Sequence, residues 1–240
     1  MTMPKRKLGK NGPEVSALGL GAMSFAGFFG RADDETSLET LAAAEDAGIN
    51  FWDTANIYGM GRSETVIGRY FKEVGAKTNI TLATKASIVP GPPRSINNEA
   101  GYIRGELEGS LKRLNRNHVE LYYIHRREQD RPIEEVAEHM GKLIEEGLIG
   151  GWGLSEVAPT TIRRAHAVTP VRAVQSEYSL WSREPELGVL QTCQELGIAF
   201  VPFSPVGRGI ISSVDLDPPN FESHDFRKSN PRFMEPNFFS

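Results

Sequence analysis

Residues 49–85 read INFWDTANIYGMGRSETVIGRYFKEVGAKTNITLATK, and the fold turns on how they are read. INFWD (49–53) is a short apolar run with two aromatic-class positions, which suits a strand. Ser63 to Val74 has helical spacing, with Ser63 placed to cap its start. NITLATK (79–85) is a second strand. Two strands joined through a helix by short connections are parallel, with a right-handed crossover.

The same unit recurs on both sides. Further strands are expected over 17–22, 119–125, 149–155, 171–176 and 198–204. Further helices are expected over 33–47, 95–114, 133–146, 158–167 and 185–196. KRKLG (5–9) and the turn former Asn11–Gly12 suggest an N-terminal hairpin at about 5–18. The total is seven strands with six helices between them, which fits either an open doubly wound sheet or a closed barrel. Polar residues decide between them. Asp53, Lys85, His125, Ser155, Gln175 and Ser204 each end a strand or follow closely on its end. Six strand ends converge on one substrate only if the strands form a ring. The expected fold is therefore α/β, a (β/α)8 TIM barrel forming a single domain over 1–240. From about Val214 to Ser240 the chain is rich in Pro, Asn, Asp and Phe and follows neither period. The eighth strand and last helices are expected to be absent, leaving the domain C-terminally incomplete.

Composition narrows the function. The chain has 240 residues, 39% of them hydrophobic, and a formal net charge of −4 with both signs interspersed. That gives enough apolar residues for one substantial core and no concentrated basic face for nucleic acid. No run approaches the ~20 apolar residues of a membrane span, and the start, MTMPKRKLGKNG, has no apolar segment of a signal peptide. The single cysteine, Cys193, lies in a helical pattern and reads as a buried thiol, which favours a cytoplasmic protein. The five histidines have no ligand-like spacing, so no metal is expected. Oligomeric state is open, and a homo-oligomer is compatible with an uncovered barrel edge.

Four residues on consecutive strand ends suit carbonyl chemistry: Asp53, Tyr58, Lys85 and His125. A lysine cation next to a tyrosine favours the phenolate, and an aspartate keeps that lysine charged and fixed. A histidine can bond the carbonyl oxygen. The set reads as a proton relay in which Tyr58 is the acid, Lys85 its tuner, Asp53 the partner of Lys85 and His125 the orienter. Each residue alone has a plainer role: a turn cap, packing, a solvated charge, a basic patch with Arg126 and Arg127. A glycosidase would need two carboxylates, and Asp53 with Glu156 is the only candidate pair. An aldose–ketose isomerase would leave Tyr58 unused.

The dinucleotide reading comes from the other end. No GxGxxG opens a first strand–helix turn. Instead SPVGRGI (204–210) follows the seventh strand, where barrels often bind phosphate. Amides freed by Gly207 and Gly209 and the charge of Arg208 would meet a pyrophosphate. Ser155 and Gln175 can bond a planar carboxamide, and Phe203 can stack on an aromatic ring.

FWDTANIYGMGRSE, LATKAS, LYYIHR, GLSE, VQSEYSLW and FVPFSPVGRG occur in this order. They resemble the signature segments of the aldo-keto reductases, in particular the bacterial and plant branch that reduces small aldehydes. The resemblance implies an oxidoreductase that reduces aldehydes or ketones with NADP(H), transferring the 4-pro-R hydrogen. It maps the catalytic four onto Asp53, Tyr58, Lys85 and His125. The cofactor contacts map onto Ser155, Gln175, Phe203, Ser204, Gly207 and Arg208. Glu156 stands where many members have asparagine, and Phe203 where many have tyrosine. Arg227, Lys228 and Arg232 do not match the family's 2′-phosphate contacts, which come later in the chain. The alternatives are a cofactor-binding auxiliary protein of the same fold and a catalytically incompetent truncated fragment.

Overall fold

The computed structural model describes residues 3–213 and 215–238. An antiparallel hairpin, β1 (Lys5–Lys7) and β2 (Glu14–Ser16), precedes the main sheet. The sheet strands are β3 (Leu20–Gly21), β4 (Phe51–Asp53), β5 (Thr81–Ala86), β8 (Leu121–Ile124), β9 (Trp152–Ser155), β10 (Ala173–Glu177) and β11 (Ala199–Phe203). They pair in parallel in that spatial order. The helices are α1 (Asp34–Asp46), α2 (Arg62–Arg69), α3 (Ala100–Leu114), α4 (Ile133–Glu145), α5 (Pro159–Val168) and α6 (Val189–Leu196).

The sheet is curled, and a side-chain contact across it demonstrates this. Gln175 on β10 lies four strand steps from Asp53 on β4, about 19 Å away in a flat sheet. Its amide nevertheless donates to Asp53 Oδ2 at 2.9 Å. Alternation along each strand then separates two cores. Trp52, Leu82, Tyr122, Trp152, Leu154 and Val174 face the helices and belong to the larger cluster. Phe51, Ala83, Leu121, Tyr123 and Ala173 fill the interior, where Leu8 and Val15 of the hairpin segment pack against them. Gly153 makes room for one of these: a Cβ there would sit 2.5 Å from the Tyr123 ring.

Local side-chain chemistry sets the starts of α1 and α3. The Asp33 carboxylate accepts from Thr36 N at 2.8 Å to start α1, and Glu99 caps α3 through the amides of Gly101 and Tyr102. α3 begins five residues later than the pattern over 95–114 suggests. Pro90, Pro92 and Pro93 stop a helix there, and a short antiparallel pair forms instead, β6 (Ile88–Val89) with β7 (Ser95–Ile96).

The C-terminal expectation is corrected. Six helices and seven parallel strands run through nearly the whole chain, and residues 215–238 are no loose remnant of a barrel missing its last elements. They form 3₁₀ turns at Pro218–Asn220, Phe226–Ser229 and Pro231–Phe233 that fold across the barrel mouth. Phe233 is buried, and Phe226 N–H donates to Phe28 O at 2.8 Å. Such turns repeat with neither the helix nor the strand period, and two of the three open on a proline, so their sequence looks merely irregular.

Candidate active site

Asp53 is the last residue of β4, and Lys85 is the next-to-last of β5. Lys85 is fully buried, pointing into the barrel at a level where its backbone pairs with Tyr123. Its ammonium donates to a carboxylate oxygen of Asp53 and, at 2.8 Å, to Thr54 O. The second Asp53 oxygen is the one that accepts from Gln175. Burial alone would lower the Lys85 pKa; Asp53 and then Tyr58 more than reverse this, leaving it above the ordinary lysine value. Lys85 is therefore charged at neutral pH.

Tyr58 lies on the loop between β4 and α2, and that loop is tied at several points. Asn56 N–H donates to Lys85 O at 3.1 Å. The hydroxyls of Thr54 and Ser63 are 2.8 Å apart, and Ser63 also donates to Ala22 O at 2.8 Å. The ring centre of Tyr58 is 5.4 Å from Lys85 Nζ and meets the His125 ring edge-on at 5.9 Å. Burial raises the Tyr58 pKa; Lys85 pulls it back, Asp53 pushes it up, and the net is above the ordinary value. The expected downward tuning by Lys85 is present but is outweighed by desolvation. Tyr58 is thus a protonated phenol at neutral pH.

His125 follows β8 and is buried. Its amide donates to Ala86 O at 2.8 Å, while its Nδ1 is buried without a partner. Burial first, then the cations Lys85, Arg126 and Arg94, hold its pKa well below the usual imidazole range. It is a neutral ring. The sequence-read four therefore sit on one wall of one cavity, with Lys85 behind the wall and Asp53, Tyr58 and His125 lining it.

That cavity has a volume of about 960 Å³, near the upper end of the ~300–1,000 Å³ range of small-molecule sites. Ser155, Gln175, Phe203, Ser204 and Arg208 line it as well; Gly207 does not. Ser204, Gly207, Arg208 and Gly209 all have left-handed backbone, and a Cβ on Gly207 would lie 2.6 Å from the Ile210 side chain. The N–H groups of Gly207 and Gly209 are donated inside this turn, to Ser204 O and Val206 O. They are therefore not the free amides the sequence suggests. The charge at this end comes from Arg208 and from Arg227 on the tail, both lining the cavity. Groups able to bond a carboxamide, a ring able to stack and two arginines share one space, which fits a dinucleotide.

Two contributors were not legible as site residues. Glu177, the last residue of β10, holds both Arg208, at 2.9 Å, and Arg232 of the tail, at 2.6 Å. Burial pushes the Glu177 carboxyl up, but Arg232, Arg208 and the Ser182 hydroxyl outweigh it and hold the group below its ordinary value. Its only sequence signal was its place two residues beyond Gln175. Arg126, read as part of a basic patch, turns into the cavity beside His125. Glu156 has left-handed backbone and accepts from Glu177 N–H at 2.7 Å, so it braces the next strand end.

The aldo/keto reductase family model matches residues 17–237. Aldo-keto reductase yakc of Schizosaccharomyces pombe, whose name carries NADP(+), is 41% identical over 245 residues, covering 100% of this chain and 72% of that protein. The glycerol dehydrogenase AKR11B4 from Gluconobacter oxydans superposes with a TM-score of 0.83 at 29% identity, over 98% of this chain and 73% of that one. The holo form of aldo-keto reductase AKR11C1 from Bacillus halodurans gives a TM-score of 0.80 at 30% identity, over 90% and 70%. The expectation of a C-terminally incomplete domain is corrected by the family match, which runs through the tail to residue 237, and by the superposition over 98% of this chain.

Proposed function

Because the chain belongs to the aldo/keto reductase family, we propose that the rim cavity is where it reduces small aldehydes or ketones, with Tyr58 as proton donor. The chain is an NADP(H)-dependent oxidoreductase acting on small carbonyl compounds. NADPH supplies the hydride when bound. The observation that carries the residue assignment is the packing of Tyr58 against both Lys85 and His125.

The roles follow from the protonation states. Reduction builds negative charge on the carbonyl oxygen, which neutral donors aimed at that oxygen stabilise. Tyr58, held protonated, gives its proton to the new alkoxide. Lys85, held charged by Asp53, stabilises the tyrosinate left behind. His125, neutral, orients the carbonyl by a hydrogen bond, for which its buried ring is already fixed. Gln175 fixes Asp53 and, with Ser155, bonds the carboxamide; Phe203 stacks on the ring. Ser204 and Arg208 form the phosphate end, on a turn whose left-handed backbone Gly207 permits. A cytoplasmic location belongs to the same reading, supported by Cys193: it is buried on α6, its thiol pushed up to about 11 by burial, and no second cysteine exists to pair with it.

The test is Tyr58→Phe. The variant should bind NADPH as the parent does, followed by fluorescence titration, and lose ~10²–10⁴-fold in turnover of a small aldehyde. Parent-like turnover would remove Tyr58 from the role. An auxiliary protein of this fold would instead bind NADPH tightly and reduce no reactive aldehyde at all.

A further inference from the structure

The cavity carries more positive charge than its one carboxylate balances. Asp53 is the only acid among its lining residues, against Arg94, Arg126, Arg208 and Arg227, in a chain of net charge −4. These arginines divide into two kinds. Arg208 and Arg227 are each in an ion pair, with Glu177 and Asp225. Arg94 and Arg126 form no ion pair with any described residue.

Their positions divide the same way. Arg208 follows β11 and is held by Glu177 at the end of β10, whereas Arg126 follows β8 and bonds Ser155 at the end of β9. Arg94 stands at the tip of the β6–β7 pair, beyond the end of β5. The two unpaired arginines are both near enough to His125 for their charges to act on it, whereas neither paired arginine is among the charges that do. Arg126 is also oriented. Its Nη1 donates to His125 O at 2.6 Å and to Ser155 Oγ at 3.1 Å, which fixes the guanidinium plane. Its Nε and Nη2 donate to no described residue. That edge presents two parallel N–H groups, the geometry that matches a carboxylate. The cavity it lines also has apolar walls, with Phe28, Ile57, Met60 and Ile88.

Resting on the reductase reading, we propose that the preferred substrate is a carbonyl compound with a carboxylate on an apolar body, the carboxylate held by Arg126 and assisted by Arg94. Arg126 is then a specificity residue and not a proton carrier. The field of the two arginines also reaches the reacting groups, since both contribute to keeping His125 neutral.

The probe is a pair, 4-carboxybenzaldehyde and its methyl ester, similar in size but differing in charge; the ester makes its aldehyde intrinsically the more electrophilic, which works against the preference expected. The parent should favour the carboxylate in kcat/KM by on the order of tenfold to a hundredfold. In Arg126→Gln that ratio should fall to near one, and in Arg94→Gln it should fall part of the way. Taking the ratio within each variant cancels any general loss of activity. Equal kcat/KM for the two aldehydes in the parent would overturn the proposal. So would a ratio that survives Arg126→Gln while NADPH binding weakens, which would assign Arg126 to the cofactor. If neither aldehyde is reduced, the reductase reading fails, and the anion site is judged separately by titrating benzoate and benzamide into the NADPH complex. Benzoate binding at least about tenfold tighter, and lost in Arg126→Gln, supports it; equal binding of the two overturns it.

Discussion

The strand-end wall and the loop-and-tail arc over residues 204–238 enclose the same cavity but are held in place by different forces. On the wall, the Lys85–Asp53 pair is sunk among barrel side chains, with Lys85 fully buried and Asp53 15% exposed. Strand ladders fix both backbones. Among the described residues of the arc there is no sheet. Arg208 and Arg232 pin it through Glu177, Arg227 is paired with Asp225 inside it, and phenylalanines at 221, 226 and 233 fill between. The wall is preorganised by packing and the arc by charge. A group that must hold a fixed protonation state is served by the first, and a segment that must admit a large ligand by the second.

Removing the buried charge on the wall is the harshest way to break that contrast. Lys85→Met leaves Asp53 without its cation, and such a loss costs ~3–5 kcal/mol. Urea unfolding should show that loss, together with a fall of turnover like that of Tyr58→Phe. A variant as stable as the parent would mean that packing, and not the pair, holds this wall. Glu177→Gln addresses the arc. It removes a carboxylate shared by two arginines, and bonds of this kind are worth about 1.5–3 kcal/mol. Hydrogen exchange over residues 226–233 should speed up while exchange in β5 and β8 stays as it was. Equal acceleration in both regions would erase the distinction.

The smallest effect is in the pH dependence. His125 is held well below its ordinary 6.5, so as pH falls through 6.5 the unfolded chain takes up a proton that the folded chain refuses. Stability from this residue is present above pH 6.5 and is lost on acidification, by at most ~1.4 kcal/mol per pH unit for one group. Lys85 and Tyr58 have the opposite sign: both are held above their ordinary values of 10.5 and 10.0, so their contribution is present at lower pH and is lost as pH rises beyond those values. Denaturation from pH 6.5 to 5.5 should therefore weaken the parent more than His125→Gln. A parallel decline in the two would show that His125 titrates normally.

How far the sequence could be read follows the same division. The wall was legible because strands of period two place every second residue inside, so strand ends such as Asp53, Lys85, His125 and Gln175 could be recognised as one rim. The arc was not. Its 3₁₀ turns have no usable period, and its cohesion comes from long-range pairs such as Arg232 with Glu177, 55 residues apart. The protonation state of Tyr58 was also out of reach, because the sequence names its neighbour Lys85 but not how deeply both are buried. The prolines at 90, 92 and 93 did carry a signal of a turn there, and the helix expected from 95 is corrected by the β6–β7 pair that they connect.

The central claim is that this wall and this arc hold NADPH and a carbonyl together for direct hydride transfer. Turnover of a small aldehyde with NADPH deuterated at the 4-pro-R position, followed by mass analysis of both products, tests it most directly. The account predicts deuterium in the alcohol and none left in NADP+. Deuterium retained in NADP+, or an unlabelled alcohol, would contradict it.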